Sequence, residues 1–258
     1  MPKTILELVR EFNYLVKDAI SGPNCIDPNV CHGDCCFIHI DISKILAQHY
    51  IDKGWASKED FRRGSTFSFE INVDLERLRC MFFSKEINGC SLHMTGMKTP
   101  QCWVYPTGLD PDKVNTSCKK ADGWFINDPV SIKKAKGVLD DYVLLCRAEA
   151  IEENSPDMIM QRLQALPTEK FDTITPSSIA GVKDNWDNFD ILIGEGYNLG
   201  VRSFCSEVGC DFEYFECPVV CEHLKKKLIK FLSEKLPLFI QSNGFKSEYT
   251  FMELKRQK

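Results

Sequence analysis

Three thiols fall within six residues in the run Cys31-His32-Gly33-Asp34-Cys35-Cys36, and this crowding constrains the fold more than any other feature of the chain. A short glycine-bearing loop cannot bury three side chains in one core, so packing explains the run poorly. Ligation explains it well, because a metal or cluster needs thiolates that converge from short loops at about 2.3 Å. Cys25, Cys80, Cys90, Cys102 and Cys118 flank the run within the first 127 residues. A separate set, Cys205, Cys210, Cys217 and Cys221, lies within 17 residues, with Gly209 and Pro218 as turn makers. Cys146 stands apart, and the other twelve cysteines would serve one to three four-thiolate centres.

Composition narrows the class. A chain of 258 residues with 43% hydrophobic and 27% charged residues can bury a core without cross-links. The cysteine total of 13 is odd, and Cys35 adjoins Cys36, so a disulfide scaffold fits poorly. Met1-Pro2-Lys3-Thr4 leads into an amphipathic helix and not into an apolar signal core, and no apolar run approaches the length of a membrane span. The expectation is a cytoplasmic protein without membrane insertion. A net charge of −5 argues against a nucleic-acid partner, and Lys225-Lys226-Lys227 reads as a solvated helix face.

The pattern along the chain predicts an α+β protein, mostly helical, with a small β-hairpin or sheet and irregular cysteine-rich metal-binding loops. Thr4 and Glu7 form a capping box for a helix running to about Ile20. Asp41 or Ser43 caps a second helix that ends at Gly54. Phe67, Phe69, Ile71 and Val73 alternate with polar residues as in a half-buried strand. Asn88-Gly89 signals a hairpin that would set Cys80 opposite Cys90. Residues 95–127 are irregular, and a bound metal would order them. Asp128-Pro129 starts the clearest helix, with Cys146 on its apolar stripe as a core thiol, and Ser155-Pro156 starts another. Residues 168–188 read as a polar joint, Phe189–Ile193 as a short strand, and about Val219–Leu236 as a final helix. Two regions result: a cysteine-cluster region at 1–127, and a helical region at 128–258 with the second cysteine site.

The order Cys25, Cys31-x-Gly-x-Cys35-Cys36, Ile40-Asp41-Ile42-Ser43, Cys80-Met81-Phe82-Phe83, Gly89-Cys90 and Pro100-Gln101-Cys102-Trp103-Val104-Tyr105-Pro106 resembles the YkgJ family. That family is described as a zinc- or iron–sulfur-binding cysteine-cluster domain. The likeness covers roughly residues 25–106. It departs from the family pattern at Cys25, six residues before Cys31 instead of three, at Thr99 in place of arginine, and at His93 in place of tyrosine. The resemblance implies Cys35, Cys36, Cys90 and Cys102 as the core metal ligands. It is also distantly similar to flagellin lysine-N-methylase, which implies modification of a protein substrate as an alternative activity.

Other motifs say less. Ile191-Leu192-Ile193-Gly194-Glu195-Gly196, followed by Gly200, would admit a nucleotide or S-adenosylmethionine, although a turn into the C-terminal cysteines explains it more simply. His32 and His93 are either ligands or donors beside the cysteines. No Ser/His/Asp grouping is evident. The sequence therefore predicts an iron–sulfur protein (4Fe-4S) acting in electron transfer or in metal and cluster handling, with a redox partner or a modified substrate protein. A structural zinc protein is the remaining alternative.

Overall fold

The computed structural model describes residues 2–22, 27, 29, 33–37, 39–74, 76, 78–110, 118, 123–165, 180–184, 186, 189–193, 222–246 and 248–257. Over these residues the architecture is α+β, with helices and small antiparallel sheets, as the sequence predicts. No helix among the described residues is long and apolar enough to cross a membrane. Two compact units divide the chain: residues 1–61 with 66–150, and residues 62–65 with 151–258.

The first unit opens with the helix Ile5–Lys17. Thr4 accepts a hydrogen bond from the Glu7 backbone, and the Glu7 carboxylate accepts the Thr4 N–H at 2.7 Å, which completes the expected capping box. Ile5, Leu8, Val9, Phe12 and Val16 form its buried face. The helix stops earlier than the periodicity predicts, because Ile20–Ser21 leaves it to pair with Phe125–Ile126. Ser43, not Asp41, caps the helix Lys44–Asp52 and accepts the Leu46 N–H at 3.0 Å. The first amides of that helix are satisfied from a distant element. Glu149 accepts from Lys44 N at 2.5 Å, from Ile45 N at 3.1 Å and from the Ser68 hydroxyl at 2.7 Å.

Glu149 lies on the long helix Pro129–Glu153, which buries Ile132, Ala135, Val138, Tyr142, Cys146 and Ala150. Cys146 is thus the core thiol that the periodicity predicts. Alongside, Ile40–Ile42 pairs with Phe69–Ile71 in the register Ile40 to Ile71 and Ile42 to Phe69, and all four side chains are buried. The expected strand from Phe67 to Val73 is interrupted at Asn72. There the backbone N–H turns to Asp60 O at 2.9 Å and the side chain to Glu59 O at 2.6 Å. Pairing restarts at Val73–Asp74.

One expected register is corrected. Cys80 pairs with Val73, and Cys90 pairs with Phe83, so the two cysteines are not cross-strand partners. Asn88 has a left-handed φ of 45°, and Gly89 already lies in the ladder opposite Ser84. The turn is therefore a longer loop over residues 85–88, not a two-residue Asn-Gly turn, and the longer loop shifts the register.

In the second unit, Arg63 is buried. It pairs with Glu153 at 3.2 Å and donates to the Trp186 carbonyl at 3.2 Å, while Arg162 donates to the Glu153 carbonyl at 2.8 Å. A buried guanidinium held this way ties residues 62–65 to the C-terminal half. Ser155 caps the helix Pro156–Gln164, which packs on the helix Glu222–Asn243. The latter continues through Pro237, past the expected end at Leu236, and its buried face continues over Leu232, Leu236, Phe239 and Ile240. The predicted strand Phe189–Ile193 pairs antiparallel with Ala180–Asp184, which in turn pairs with Glu248–Tyr249. Ala180–Asp184 falls in the segment read as a joint; Ala-Gly-Val-Lys-Asp has no strand pattern of its own, and its neighbours make it a strand.

Candidate metal centre

Four local structures in the first unit carry the thiols. The segment from Gly33 ends in a tight turn, Asp34–Phe37, with Cys36 N donating to Gly33 O at 2.8 Å. Gly33 has φ +73°, and a Cβ there would stand 2.3 Å from the Phe83 ring. The backbone before Cys35 and Cys36 therefore lies flat on Phe83, the cross-strand partner of Cys90. Arg79–Cys80 packs against the same turn. The Ser91 N–H, just after Cys90, donates to Phe82 O at 2.9 Å and holds the Cys90 strand on the 79–84 segment.

Cys102 arrives on the short helix Gln101–Val104, its N–H donating to Thr99 O at 3.0 Å. Three elements hold this segment. Tyr50, buried on the helix Lys44–Asp52, donates to Met97 O at 2.6 Å and packs edge-on against Phe82 at 5.3 Å. Asn13, on the first helix, donates to Lys98 O at 2.8 Å and accepts the Trp103 indole N–H at 2.8 Å. Gln101 donates to Asp41 O at 3.2 Å. Lys98 places its ammonium 4.3 Å from the Trp103 ring centre, and His93 packs on the same indole at 4.9 Å.

The thiols sense one another. The Cys36 thiol is pushed far up by its hydrogen bond with Cys35, then by burial and by the charges of Cys35, Cys90 and Cys80. Burial pushes Cys80 up to about 11, with Cys90 and Cys35 adding to it and the Phe82 backbone opposing. Burial raises Cys90 and takes Cys102 to about 12; Lys98 opposes both, while Cys90 and Cys80 push Cys102 further. Cys36, Cys80, Cys90 and Cys102 thus favour their protonated, neutral thiols, and a thiophilic cation that displaced the protons would have to offset that preference. Burial, then the Lys98 charge, hold the His93 imidazole below its usual value, and its ring packs tilted by 36° against Trp103.

The group is open. Among the described residues, no three His, Cys, Asp or Glu side chains stand close enough to grip one ion. Soft, reduced thiols at Cys36, Cys80, Cys90 and Cys102 nevertheless fit a thiophilic metal by their chemistry. Cys118 is half-buried, and nothing among the described residues joins it to the group. Cys25, Cys31, His32, Cys205, Cys210, Cys217, Cys221 and the glycines from Gly194 to Gly200 lie outside the described residues. Sequence reasoning missed the polar frame of Asn13, Tyr50, Lys98 and Thr99. Its one legible signal was Lys98 and Trp103 bracketing Cys102, a cation and an aromatic on either side of a candidate ligand.

Fold and site together define an α+β protein with part-buried free cysteines on neighbouring segments of its first unit. No protein-family model, curated protein or solved structure matches the chain.

Proposed function

We propose that this chain binds an iron–sulfur cluster and serves in electron transfer or in the handling of metal and clusters, as the YkgJ-like cysteine order implies. The observation that carries the reading is that the segments bearing Cys35, Cys36, Cys80, Cys90 and Cys102 are neighbours: Cys90 pairs with Phe83, Arg79–Cys80 packs on the 34–37 turn, and Tyr50 joins Met97 to Phe82. Four of Cys35, Cys36, Cys80, Cys90 and Cys102 would hold the cluster, which takes four thiolates. A bound cluster would supply one-electron chemistry.

The chain's own residues prepare the place. Phe82, Phe83 and Tyr50 pack beneath the loops and limit water there. Thr99, buried, hydrogen-bonds Cys102 and favours its thiolate. Cys35 is exposed, so the group opens to the surface where a protein redox partner or a cluster acceptor would approach. A cytoplasmic setting belongs to the same proposal, since reduced thiols persist there.

Purification without oxygen, with iron, sulfide and zinc measured per chain and absorption and paramagnetic resonance spectra recorded, tests the reading. Iron with sulfide is the expected result. Zinc with no sulfide would replace the cluster by a structural zinc site. If iron is present, binding of S-adenosylmethionine in a calorimeter would instead favour the lysine-methylase alternative.

A further inference from the structure

We infer that the long helix Pro129–Glu153 is a self-association surface, pairing antiparallel with the same helix of a second copy about Leu144. The pairing uses only the outward face of that helix and owes nothing to the metal reading above. The inward face buries Ile132, Ala135, Val138, Tyr142, Cys146 and Ala150. Gly137, Leu144 and Ile151 follow one another at steps of seven residues. At about 3.6 residues per turn they share one outward stripe, on the side opposite Ala135 and Tyr142. Leu144 is 68% exposed and Ile151 67%. Gly137 weakens the helix interior in which it sits, and a Cβ there would meet nothing within 4 Å. Among the described residues, then, nothing requires a glycine at 137, whereas the close approach of an outside side chain would.

The charges select a second copy as the occupant. Lys133, Lys134 and Lys136 lie in the first half of the helix, and Glu152 and Glu153 end it, so an antiparallel mate is complementary. A two-fold axis beside Leu144 brings the two Leu144 side chains together and lays each Ile151 over the partner's Gly137. The same register sets Asp140 opposite the partner's Arg147, and Lys134 opposite the partner's Glu152. All four side chains are exposed. Asp140 and Arg147 flank the stripe on one side, Lys134 and Glu152 on the other, so each pair meets across the seam. Asp141 falls opposite the partner's Ala148, where its carboxylate keeps its water. A parallel mate would set Gly137 against Gly137 and leave a gap where the antiparallel one places Ile151. A single helix pair belongs with interfaces below about 1,200 Å², so the dimer is weak and concentration-dependent.

Analytical ultracentrifugation of the full chain over a concentration series, with reductant present to exclude disulfide-linked copies, tests the pairing. The parent is expected to pass from monomer to dimer as concentration rises. Leu144→Asp buries a charge at the two-fold and is expected to weaken the dimer about tenfold or more. Gly137→Leu is expected to weaken it by about the same factor, because the partner's Ile151 loses its place. At concentrations where the parent is monomeric, Gly137→Leu is also expected to raise the thermal midpoint, since leucine is the better helix former. Lys134→Glu is expected to weaken the dimer about three- to tenfold, and adding Glu152→Lys to restore it. A parent that stays monomeric across the series would overturn the inference. So would a dimer that keeps its affinity in Leu144→Asp and Gly137→Leu. A loss in Lys134→Glu that Glu152→Lys does not reverse would overturn the antiparallel register.

Discussion

The side-chain amide of Asn13 accepts the indole N–H of Trp103 at 2.8 Å, and the same amide donates to the Lys98 and Val9 carbonyls at 2.8 Å. One buried polar residue on the first helix thus pins both ends of the segment that delivers Cys102. Asn13→Leu would leave a part-buried indole donor and a carbonyl without their partner. It is expected to destabilise the chain by about 1–3 kcal/mol in urea unfolding. Asn13→Asp keeps an acceptor for Trp103 but sets a buried carboxyl group against the Val9 and Lys98 carbonyls, so a cost at least as large is expected.

Gly33 supports the other side of the group. Its φ of +73° and a Cβ position 2.3 Å from the Phe83 ring exclude any side chain without a shift. Gly33→Ala is expected to cost about 1–2 kcal/mol from backbone strain alone. It is also expected to lower the metal bound per chain, because Phe83 cannot retreat without moving the strand partner Cys90. Thermal unfolding and metal analysis of the same preparation measure the two effects; full metal content in the variant would show that the Gly33–Phe83 contact does not shape the site.

The core thiol predicts a pH dependence of its own. Burial raises Cys146 from 9.0 to about 12, against hydrogen bonds with Tyr142 and Ser43. A raised thiol pKa means that the folded chain favours the protonated form. Its contribution to stability is complete below about pH 9 and is lost as the pH rises from there to about 12. Cys146→Ala should therefore cost about 1–2 kcal/mol near neutral pH. That cost should shrink as chemical unfolding is repeated at higher pH; a cost that grows above pH 9 would contradict the assignment of Cys146 as a neutral buried thiol.

What the sequence made legible follows the reach of each signal. Thr4 with Glu7, Ser43, Asp128-Pro129 and Ser155-Pro156 all start helices where read, because a cap acts within three or four residues. The Cys80 and Cys90 register failed because it depends on loop length, and Asn88-Gly89 lies at the end of a longer loop. Ala180–Asp184 was missed because its strand identity comes from Phe189–Ile193 and Glu248–Tyr249. At the site, cysteine crowding pointed to twelve residues, of which Cys35, Cys36, Cys80, Cys90, Cys102 and Cys118 lie among the described ones. Asn13 lies 90 residues from Trp103, and no local pattern announces such a contact.

The central claim is that the thiols gathered in the first unit, and not the core thiol, hold an iron–sulfur cluster. The most direct measurement is iron and sulfide per chain in oxygen-free preparations of the parent, Cys36→Ser, Cys102→Ser and Cys146→Ser. The account predicts iron with sulfide in the parent and in Cys146→Ser, and its loss from Cys36→Ser and Cys102→Ser. Undiminished iron and sulfide in Cys36→Ser and Cys102→Ser, or a parent that holds zinc without sulfide, would contradict it.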